Sequence, residues 1–436
     1  MEQSILPIEE QSLFDRLCTT TTLSLAFKEV RKNKGAPGID GATIKAFEAN
    51  LNEELAQLKT DLENWDYKPN PVRRVEIPKP TGGVRLLGVP CIRDRVVQTG
   101  IKHLLEPMLD GRFSPNSFGF RPNRNQRQAV EQAQRIVASG KPYVVDIDLS
   151  KFFDRINHDR LISQLSHYIA DKRILRLIGM TLRSGIMKEG VFIPSTEGAT
   201  QGSPLSPLLS NLVLDNLDKE LERRGLEFCR FADDCNIFAG SNKAAERIMQ
   251  SVCKFIEGKL KLVVNSEKSQ VALSDRVKFL GMTIVNATIA ISRKAIDHAM
   301  TKVKELTPRG TSQNVKDTIG KINTWYVGWS SYFSMTQYPS QLRKIEAHIR
   351  RRLRSRIISQ QKRRRYLCDK LIKRGVKLET AKKSVYSNKR RWALSITRGV
   401  HQAFPNKWFE EELGLAVRSN DKLPHWFNVN EWVHLT

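Results

Sequence analysis

The sequence predicts an α+β fold, and three observations support that prediction. Residues 72–90 alternate as a β-hairpin, and two further short segments, near positions 146 and 233, have the length and composition of strands. Helical patterns alternate with strands to about residue 290, and the chain is mainly helical beyond that point. At about 150 residues per domain, 436 residues allow roughly three domains and at least one sizeable core.

The first predicted elements are a helix and a hairpin. Apolar residues recur at helical spacing from Phe47 to Trp65 and predict one amphipathic helix. Strands at 72–78 and 84–90 then flank a Gly-containing turn at 79–83. The turn carries Lys79, and the second strand carries Arg85.

Two acidic segments follow. In the strand 143–149, period-two alternation puts Asp146 and Asp148 on one face and apolar side chains on the other, so the carboxylates need a chemical reason. Apolar arms around Asp233-Asp234 predict a tight hairpin. Asp is a favoured turn residue, so this pair alone could be an ordinary turn. Together, the two segments could hold Mg²⁺, which prefers carboxylate oxygens and serves nucleotidyl transfer in pairs.

The net charge of +26, with a pI near 9.9, points to a polyanionic partner, and nucleic acid is the leading candidate. Residues 343–398 contain 21 Lys or Arg against three acidic residues, and so supply +18 of that charge. Helical apolar spacing from Leu342 to Ile357 argues against a disordered tail. A solvated helix face is the alternative, but such a face would repel itself unless phosphates neutralised it.

Composition excludes several protein classes. Hydrophobic residues make up 40% of the chain and charged residues 27%, and no apolar run approaches the ~18 residues of a membrane span. The six cysteines show no zinc spacing and are expected to be reduced thiols. The N-terminal sequence lacks the features of a signal or transit peptide, so we expect a cytosolic protein.

Seven motifs together resemble one family. Phe231-Ala232-Asp233-Asp234 resembles a Tyr-Ala-Asp-Asp box. In the segment Asp148–Phe153, the aromatic residue Phe153 follows the acid five positions later. The other motifs are Ser117–Pro122, Phe153–His158, Gln201–Asn211, Phe279–Gly281 and Trp325–Phe333. In this order, over about residues 20 to 400, they are similar to the bacterial group II intron reverse transcriptases, or maturases. The last motif resembles their thumb, called domain X.

The resemblance implies a metal site. It assigns Asp148 and Asp233 as ligands of two Mg²⁺ ions, with Leu149 in the metal set and Asp234 as a supporting catalytic residue. Asp146 is then structural.

It also implies contacts to substrates. Lys79 and Arg85 would hold the triphosphate, and Gln201 would lie beside the incoming nucleotide. Phe153 would be a steric gate that favours dNTPs; the alternative is a core aromatic. Further nucleic-acid contacts are expected from Arg121 near the template, from the primer grip Phe279-Leu280-Gly281, and from thumb arginines Arg350, Arg351, Arg354, Arg363, Arg364 and Arg365.

The resemblance further implies a right-hand polymerase. We expect fingers and palm, with a small antiparallel sheet, at 1–295, a helical thumb (domain X) at 296–400, and a short DNA-binding tail at 401–436. Phe231 replaces the family's usual Tyr, which removes a hydroxyl but keeps the ring. No endonuclease metal pattern follows the thumb, as in the endonuclease-less, class IIC-like members.

Three functions fit this pattern. The first is an RNA-directed DNA polymerase that also binds its intron RNA, assists splicing and supports retrotransposition. The second is a non-catalytic splicing chaperone, and the third is a free-standing reverse transcriptase recruited for defence or DNA repair. Expected partners are group II intron RNA, an RNA template with a DNA primer, a DNA target and dNTPs, with no membrane. The expected location is the bacterial cytoplasm, associated with the nucleoid.

Overall fold

The chain divides into two compact units, with the division between Leu273 and Ser274. The computed structural model describes residues 12–78, 83–308, 310–311 and 313–419. Each unit has its own apolar core. The first unit combines helices with two sheets, and the second combines helices with one β-hairpin. The predicted α+β class is therefore confirmed.

The helices of the first unit pack apolar side chains into its core. Polar side chains begin several of them, as Thr19 and Asn125 do by accepting from backbone N–H groups of the first turn. The helices are α1 (Leu13–Leu17), α2 (Thr20–Lys32), α3 (Ile44–Ala49), α4 (Leu51–Glu63), α5 (Ile92–Asp110), α6 (Gln126–Ala138), α7 (His158–Ser166), α8 (Lys172–Leu182), α9 (Ser206–Arg223) and α10 (Asn242–Phe255).

One continuous helix from Phe47 to Trp65 was expected, and that prediction is wrong. Asn50, with φ −116° and ψ 30°, separates α3 from α4. Asn favours helix ends because its side chain competes with the helical hydrogen bonds. Trp65 lies beyond α4 in the left-handed region, with φ 64°.

Two four-stranded sheets complete the first unit. Their strand orders are β2-β1-β4-β5 and β6-β7-β3-β8. The strands are β1 (Val72–Pro78), β2 (Val84–Val89), β3 (Tyr143–Ile147), β4 (Ile186–Lys188), β5 (Val191–Ile193), β6 (Glu227–Phe231), β7 (Asp234–Ala239) and β8 (Gln270–Leu273).

Both predicted hairpins are present. β1 and β2 pair antiparallel, with Ile77 opposite Arg85, and residues 79–82 between them lie outside the described residues. β6 and β7 pair antiparallel about the acidic turn. The predicted strand at 143–149 is β3, which ends at Ile147 and lies between β7 and β8. Val145 and Ile147 are buried in the core, as the alternation predicted.

The second unit is mainly helical, as expected. Its core includes Tyr326, which is fully buried on a helix that also carries Trp325 and Trp329. The elements are β9 (Met282–Val285), β10 (Thr288–Ile291), α11 (Arg293–Leu306), α12 (Val315–Tyr332), α13 (Pro339–Gln360), α14 (Arg364–Lys373), α15 (Leu378–Val385), α16 (Arg391–Leu394) and α17 (Arg398–Ala403).

The arginines of α13 are less exposed than expected. Arg354 is 3% exposed, its Nε donates to the Phe404 carbonyl at 2.8 Å, and an Nη donates to Asn406 at 2.7 Å. Burial lowers the pKa of Arg354 to about 10. The expectation that Arg354 lies on an exposed, phosphate-binding face is therefore wrong. Arg350 is half-buried and forms an ion pair with Glu410 at 3.1 Å.

None of the helices in the described ranges combines the length and apolar composition that a bilayer crossing requires.

Candidate active site

Three acidic residues lie at one end of the β6-β7-β3-β8 sheet. Phe231 pairs with Asp234, so Ala232 and Asp233 form a two-residue turn. Ile147 pairs with Cys235, and continuing that antiparallel register places Asp148 opposite Asp234. The two predicted acidic segments are therefore neighbours.

The charge of Asp148 affects the pKa of Asp233. Burial raises the pKa of the Asp233 carboxyl, and the negative charge of Asp148 raises this pKa further. The positive charges of Arg85 and Arg230 partly oppose the increase. When burial and a like charge disfavour the charged form of a carboxylate, a nearby cation stabilises that form.

The segment 263–269 fixes Asp148. The Asp148 N–H donates to Ser269 Oγ at 3.0 Å, and the Asn265 N–H donates to the Asp148 carbonyl at 2.8 Å. Leu149 forms an antiparallel bridge with Val264. The backbones of Asp148 and Leu149 are thus held in place, and the Asp148 carboxylate is 3.7 Å from the Lys268 ammonium.

The donor chemistry fits a divalent cation. Hard ions such as Mg²⁺ prefer carboxylate oxygens, and Asp148 with Asp233 supplies two carboxylates whose charges are close. In the part of the chain that the structure describes, no three His, Cys, Asp or Glu side chains are grouped as a complete site. Asp234 is exposed at the start of β7. Asp146 pairs across the sheet with Asn236 and accepts from Gln270 at 3.4 Å, which fits a structural role.

Arg230 is a residue that sequence reasoning missed. Its side chain is fully buried and binds both carboxylate oxygens of Asp218, at 2.7 and 2.6 Å. An Nη also donates to the Ala232 carbonyl at 2.9 Å, so this guanidinium anchors the turn that carries Asp233. The signal was present in the sequence, because an arginine inside an apolar strand must have buried partners.

The motif at 117–122 supports the same turn from outside the sheet. Ser117 forms a parallel bridge with Arg230, and the Phe118 N–H donates to the Arg230 carbonyl at 2.8 Å. A Cβ on Gly119 would lie only 2.2 Å from the Ala232 nitrogen. Only glycine permits this close approach of the two backbones.

Arg121 does not lie where a template contact would require it. It is buried, its Nε donates to Asp110 at 2.7 Å, and its Nη atoms donate to the carbonyls of Ser114, Ser117 and Asp110. Every nitrogen of the guanidinium is therefore committed within the protein. The expectation of direct template binding is corrected to bracing of the 110–121 loop.

Two of the predicted nucleotide contacts lie near the β1-β2 hairpin. Arg85 is exposed on β2, and its positive charge acts to lower the pKa of Asp233. The Gly88 N–H donates to the Gln201 carbonyl at 2.8 Å, and Gln201 lines a cavity of about 240 Å³ with Arg74 and Asp154. Lys79 lies outside the described residues.

Phe153 is half-buried on a short 3₁₀ turn, Phe152–Arg155. Its ring meets that of the buried Phe152 edge to face, with centroids 5.3 Å apart. The Ala199 N–H donates to the Phe153 carbonyl at 2.7 Å, which ties this turn to the segment before Gln201. Phe153 also packs against the core, so the gate and the core interpretation both remain predictions.

The predicted primer grip is a tight turn in the second unit. Phe279 and Met282 exchange two backbone hydrogen bonds of 2.9 Å, and Leu280 and Gly281 between them have φ of 51° and 80°. Tyr332 donates to the Leu280 carbonyl at 2.9 Å. Two positive φ values define the turn type that favours glycine, so Gly281 is needed for the backbone.

The thumb arginines fall into two groups. Arg363, Arg364 and Arg365 are exposed at the start of α14. Arg351 is half-buried, and its guanidinium lies 4.0 Å from the ring centroid of Trp392. Arg350 is paired with Glu410 and Arg354 is buried. Residues 363–365 are therefore the most accessible of the predicted arginines.

Comparisons with known proteins agree with these motifs. The model "Reverse transcriptase (RNA-dependent DNA polymerase)" matches residues 77–284, and "Group II intron, maturase-specific domain" matches 296–374. Protein YkfC of Escherichia coli (strain K12) is 31% identical over 304 residues, covering 60% of this chain and 80% of YkfC.

Two intron-encoded proteins are also similar. Group II intron-encoded protein LtrA of Lactococcus lactis is 30% identical over 263 residues, covering 58% of this chain and 41% of LtrA. The putative COX1/OXI3 intron 2 protein of Saccharomyces cerevisiae is 34% identical over 250 residues, covering 55% of this chain and 28% of the yeast protein. The chain thus spans less than half the length of these two relatives.

Proposed function

Because the chain belongs to the group II intron reverse transcriptases, we propose that it is an RNA-directed DNA polymerase that also binds a group II intron RNA and assists its splicing. Support for retrotransposition, with a DNA target as partner, belongs to the same proposal. A non-catalytic chaperone is not favoured, because the acidic residues of the site are all present. A defence or repair enzyme is not favoured either, because the maturase-specific model matches 296–374.

The observation that carries the polymerase proposal is the Asp148–Asp233 pair. One carboxylate directly follows β3 and the other lies in the β6-β7 turn, and they are close enough for the charge of Asp148 to raise the pKa of Asp233. We propose that Asp148, Asp233 and the Leu149 backbone hold two Mg²⁺ ions, with Asp234 in support. Such ions would activate the primer 3′-hydroxyl and neutralise charge that develops on the triphosphate.

The protein's own residues would orient the nucleotide. Arg85, together with Lys79, would pair with the triphosphate, since guanidinium and ammonium groups form strong charge-assisted hydrogen bonds with phosphate oxygens. Gln201 would contact the incoming nucleotide. The Phe153 ring would occupy the space of a ribose 2′-OH and so favour dNTPs by steric exclusion.

The second unit would bind the nucleic acids. Its exposed arginines at 363–365 would lie along phosphates, and the 279–281 turn would support the primer. In the proposed division, 1–295 form fingers and palm, 296–400 the thumb and 401–436 a DNA-binding tail; this division and a nucleoid-associated location remain predictions.

Two assays on one preparation test the proposal. The first is primer extension on an RNA template with dNTPs and Mg²⁺, and the second is splicing of the intron RNA that flanks the gene. We expect cDNA synthesis in the first and faster splicing with protein in the second. A protein that accelerates splicing but makes no cDNA would contradict the polymerase proposal, and the opposite result would contradict the maturase proposal.

A further inference from the structure

A cavity of about 410 Å³ lies in the second unit, between α11, α13 and α16. The proposed polymerase and splicing functions do not use it. Its lining combines one large aromatic ring with cationic and hydrogen-bonding side chains: Met300, Thr301, Lys304, His348, Arg352 and Trp392. This combination is unlike an apolar core defect, which is lined by aliphatic groups and stays dry.

The Trp392 ring is held in a fixed position. The Arg351 guanidinium lies 4.0 Å from its centroid, and the His348 ring approaches at 5.8 Å with an interplanar angle of 61°. Trp392 is nevertheless half-buried and lines the cavity. The cavity thus has a pre-ordered aromatic wall, which lowers the entropy cost of stacking a planar ligand there.

The remaining lining suits a nucleotide. Burial and the charges of Arg352 and Arg351 lower the pKa of His348, so its imidazole is neutral at pH 7 and can both donate and accept at a base edge. Arg352 is fixed by donating to the Thr307 carbonyl at 2.7 Å. Lys304 is exposed at the cavity, where its ammonium could pair with a phosphate.

The surroundings are strongly cationic. Exposed basic runs at 362–365 and 389–391 flank the cavity elements in the chain. Arg391 donates to the Ser359 carbonyl at 2.9 Å, which joins the start of α16 to the last turn of α13. A polyanion attracted to this surface would therefore pass beside Trp392.

We infer that this cavity binds one unpaired nucleotide of a single-stranded nucleic acid, with its base against Trp392 and its phosphate near Lys304. Aromatic rings between cations hold single strands in this way, because every base has a face to stack. Bases of a duplex are already stacked and cannot enter. The inference rests on the proposed function, in which the second unit binds nucleic acid, and adds a site for an unpaired base.

The test measures binding of the full chain to a labelled single-stranded RNA of about 12 nucleotides, to DNA of the same sequence, and to the RNA annealed to its complement. Trp392→Leu keeps apolar bulk without the ring, and Trp392→Phe keeps a ring. Tyr386→Leu is the control, since Tyr386 is an exposed aromatic that does not line the cavity. Melting temperatures of all variants are recorded.

We expect Trp392→Leu to weaken single-strand binding about 5-fold or more, while duplex binding changes little. Trp392→Phe should recover most of the affinity, and Tyr386→Leu should match wild type. Lys304→Gln should lower the slope of log affinity against log salt by about 0.7. Weaker binding in the RNA or the DNA arm supports the site and identifies its ligand.

Equal weakening for single strand and duplex, or unchanged affinity in both single-strand arms, would overturn the inference. Equal affinities of the Leu and Phe variants would also overturn it. Primer extension by the wild-type protein distinguishes failure of the proposed polymerase function from failure of the cavity inference. Absence of cDNA contradicts the proposed polymerase, whereas cDNA synthesis with unchanged binding by Trp392→Leu contradicts this cavity alone.

Discussion

The two units differ most in charge. Residues 1–273 carry a net charge of +5, whereas the shorter segment 274–436 carries +21. In the first unit, acidic residues largely balance the basic ones, and the key acids form the candidate active site. In the second unit no such balance exists, so a polyanion outside the protein is the natural partner of the excess charge.

Two buried arginines, one in each unit, differ in how their charge is compensated. Arg230 in the first unit is paired with Asp218, and both side chains are completely buried. Arg354 in the second unit has a carbonyl and an amide as partners, and its pKa falls to about 10 because burial disfavours the charge. The charge of Arg230 is compensated by a buried carboxylate, whereas Arg354 is a buried cation with neutral hydrogen-bond partners.

The largest stability effect is expected at Arg230. Arg230→Met should lower the free energy of unfolding by about 3–5 kcal/mol, because it leaves the Asp218 carboxylate buried without its partner. Chemical denaturation measures this change. The double variant Arg230→Met/Asp218→Leu should recover much of the stability, since it removes both charges; a double variant as unstable as the single one would argue against the ion pair as the cause.

A smaller effect is expected at Arg354. Arg354→Met keeps the side-chain length and breaks hydrogen bonds to neutral groups only, so the free energy of unfolding should change by about 1–2 kcal/mol. The same denaturation experiment measures it. A destabilisation as large as that of Arg230→Met would remove the contrast between these two arginines.

The exposed arginines should affect binding and leave stability unchanged. Replacing Arg363, Arg364 and Arg365 by Gln should weaken RNA and primer-template binding and lower the slope of log affinity against log salt by up to about 0.7 to 0.9 for each phosphate that the protein no longer neutralises. The melting temperature should hardly change, because these side chains are exposed. An unchanged slope with wild-type affinity would mean that the RNA is bound elsewhere.

The smallest effect is expected at Phe153. Phe153→Ala should raise ribonucleotide incorporation relative to dNTPs about 10-fold, because the discrimination is steric. Competition between rNTPs and dNTPs in primer extension measures this ratio. Unchanged selectivity with a lower melting temperature would identify Phe153 as a core residue.

Local patterns predicted the local structure well. Alternation and turn chemistry were enough for β1-β2, for β3 and for the β6-β7 hairpin, since neighbours in sequence determine them. Helical periodicity likewise predicted the apolar face of α13, but could not show that Arg354 is enclosed by residues 50 positions away. The single helix expected over 47–65 failed because periodicity is insensitive to one residue, Asn50, that leaves the helix.

At the candidate site, the sequence predicted the acidic residues but not the residues that hold them in place. Asp148 and Asp233 carry a recognisable motif, whereas Arg230 acts through Asp218, Ala232 and a strand pairing with Ser117. The same limit explains Arg121, whose motif suggested a template contact although its partners are the Asp110 carboxylate and nearby backbone carbonyls. Such partners follow from the tertiary fold and from no local pattern.

Single-turnover primer extension on an RNA template tests most directly whether Asp148 and Asp233 form the metal-dependent catalytic pair. Asp148→Asn and Asp233→Asn should each reduce cDNA synthesis by about 10³-fold or more, while intron RNA binding stays near wild type. Because the pKa of Asp233 is raised in the folded protein, its charge costs stability at neutral pH, and Asp233→Asn should melt at the same or a higher temperature without metal. Wild-type rates of cDNA synthesis in either variant would show that the carboxylates of Asp148 and Asp233 are not the catalytic pair.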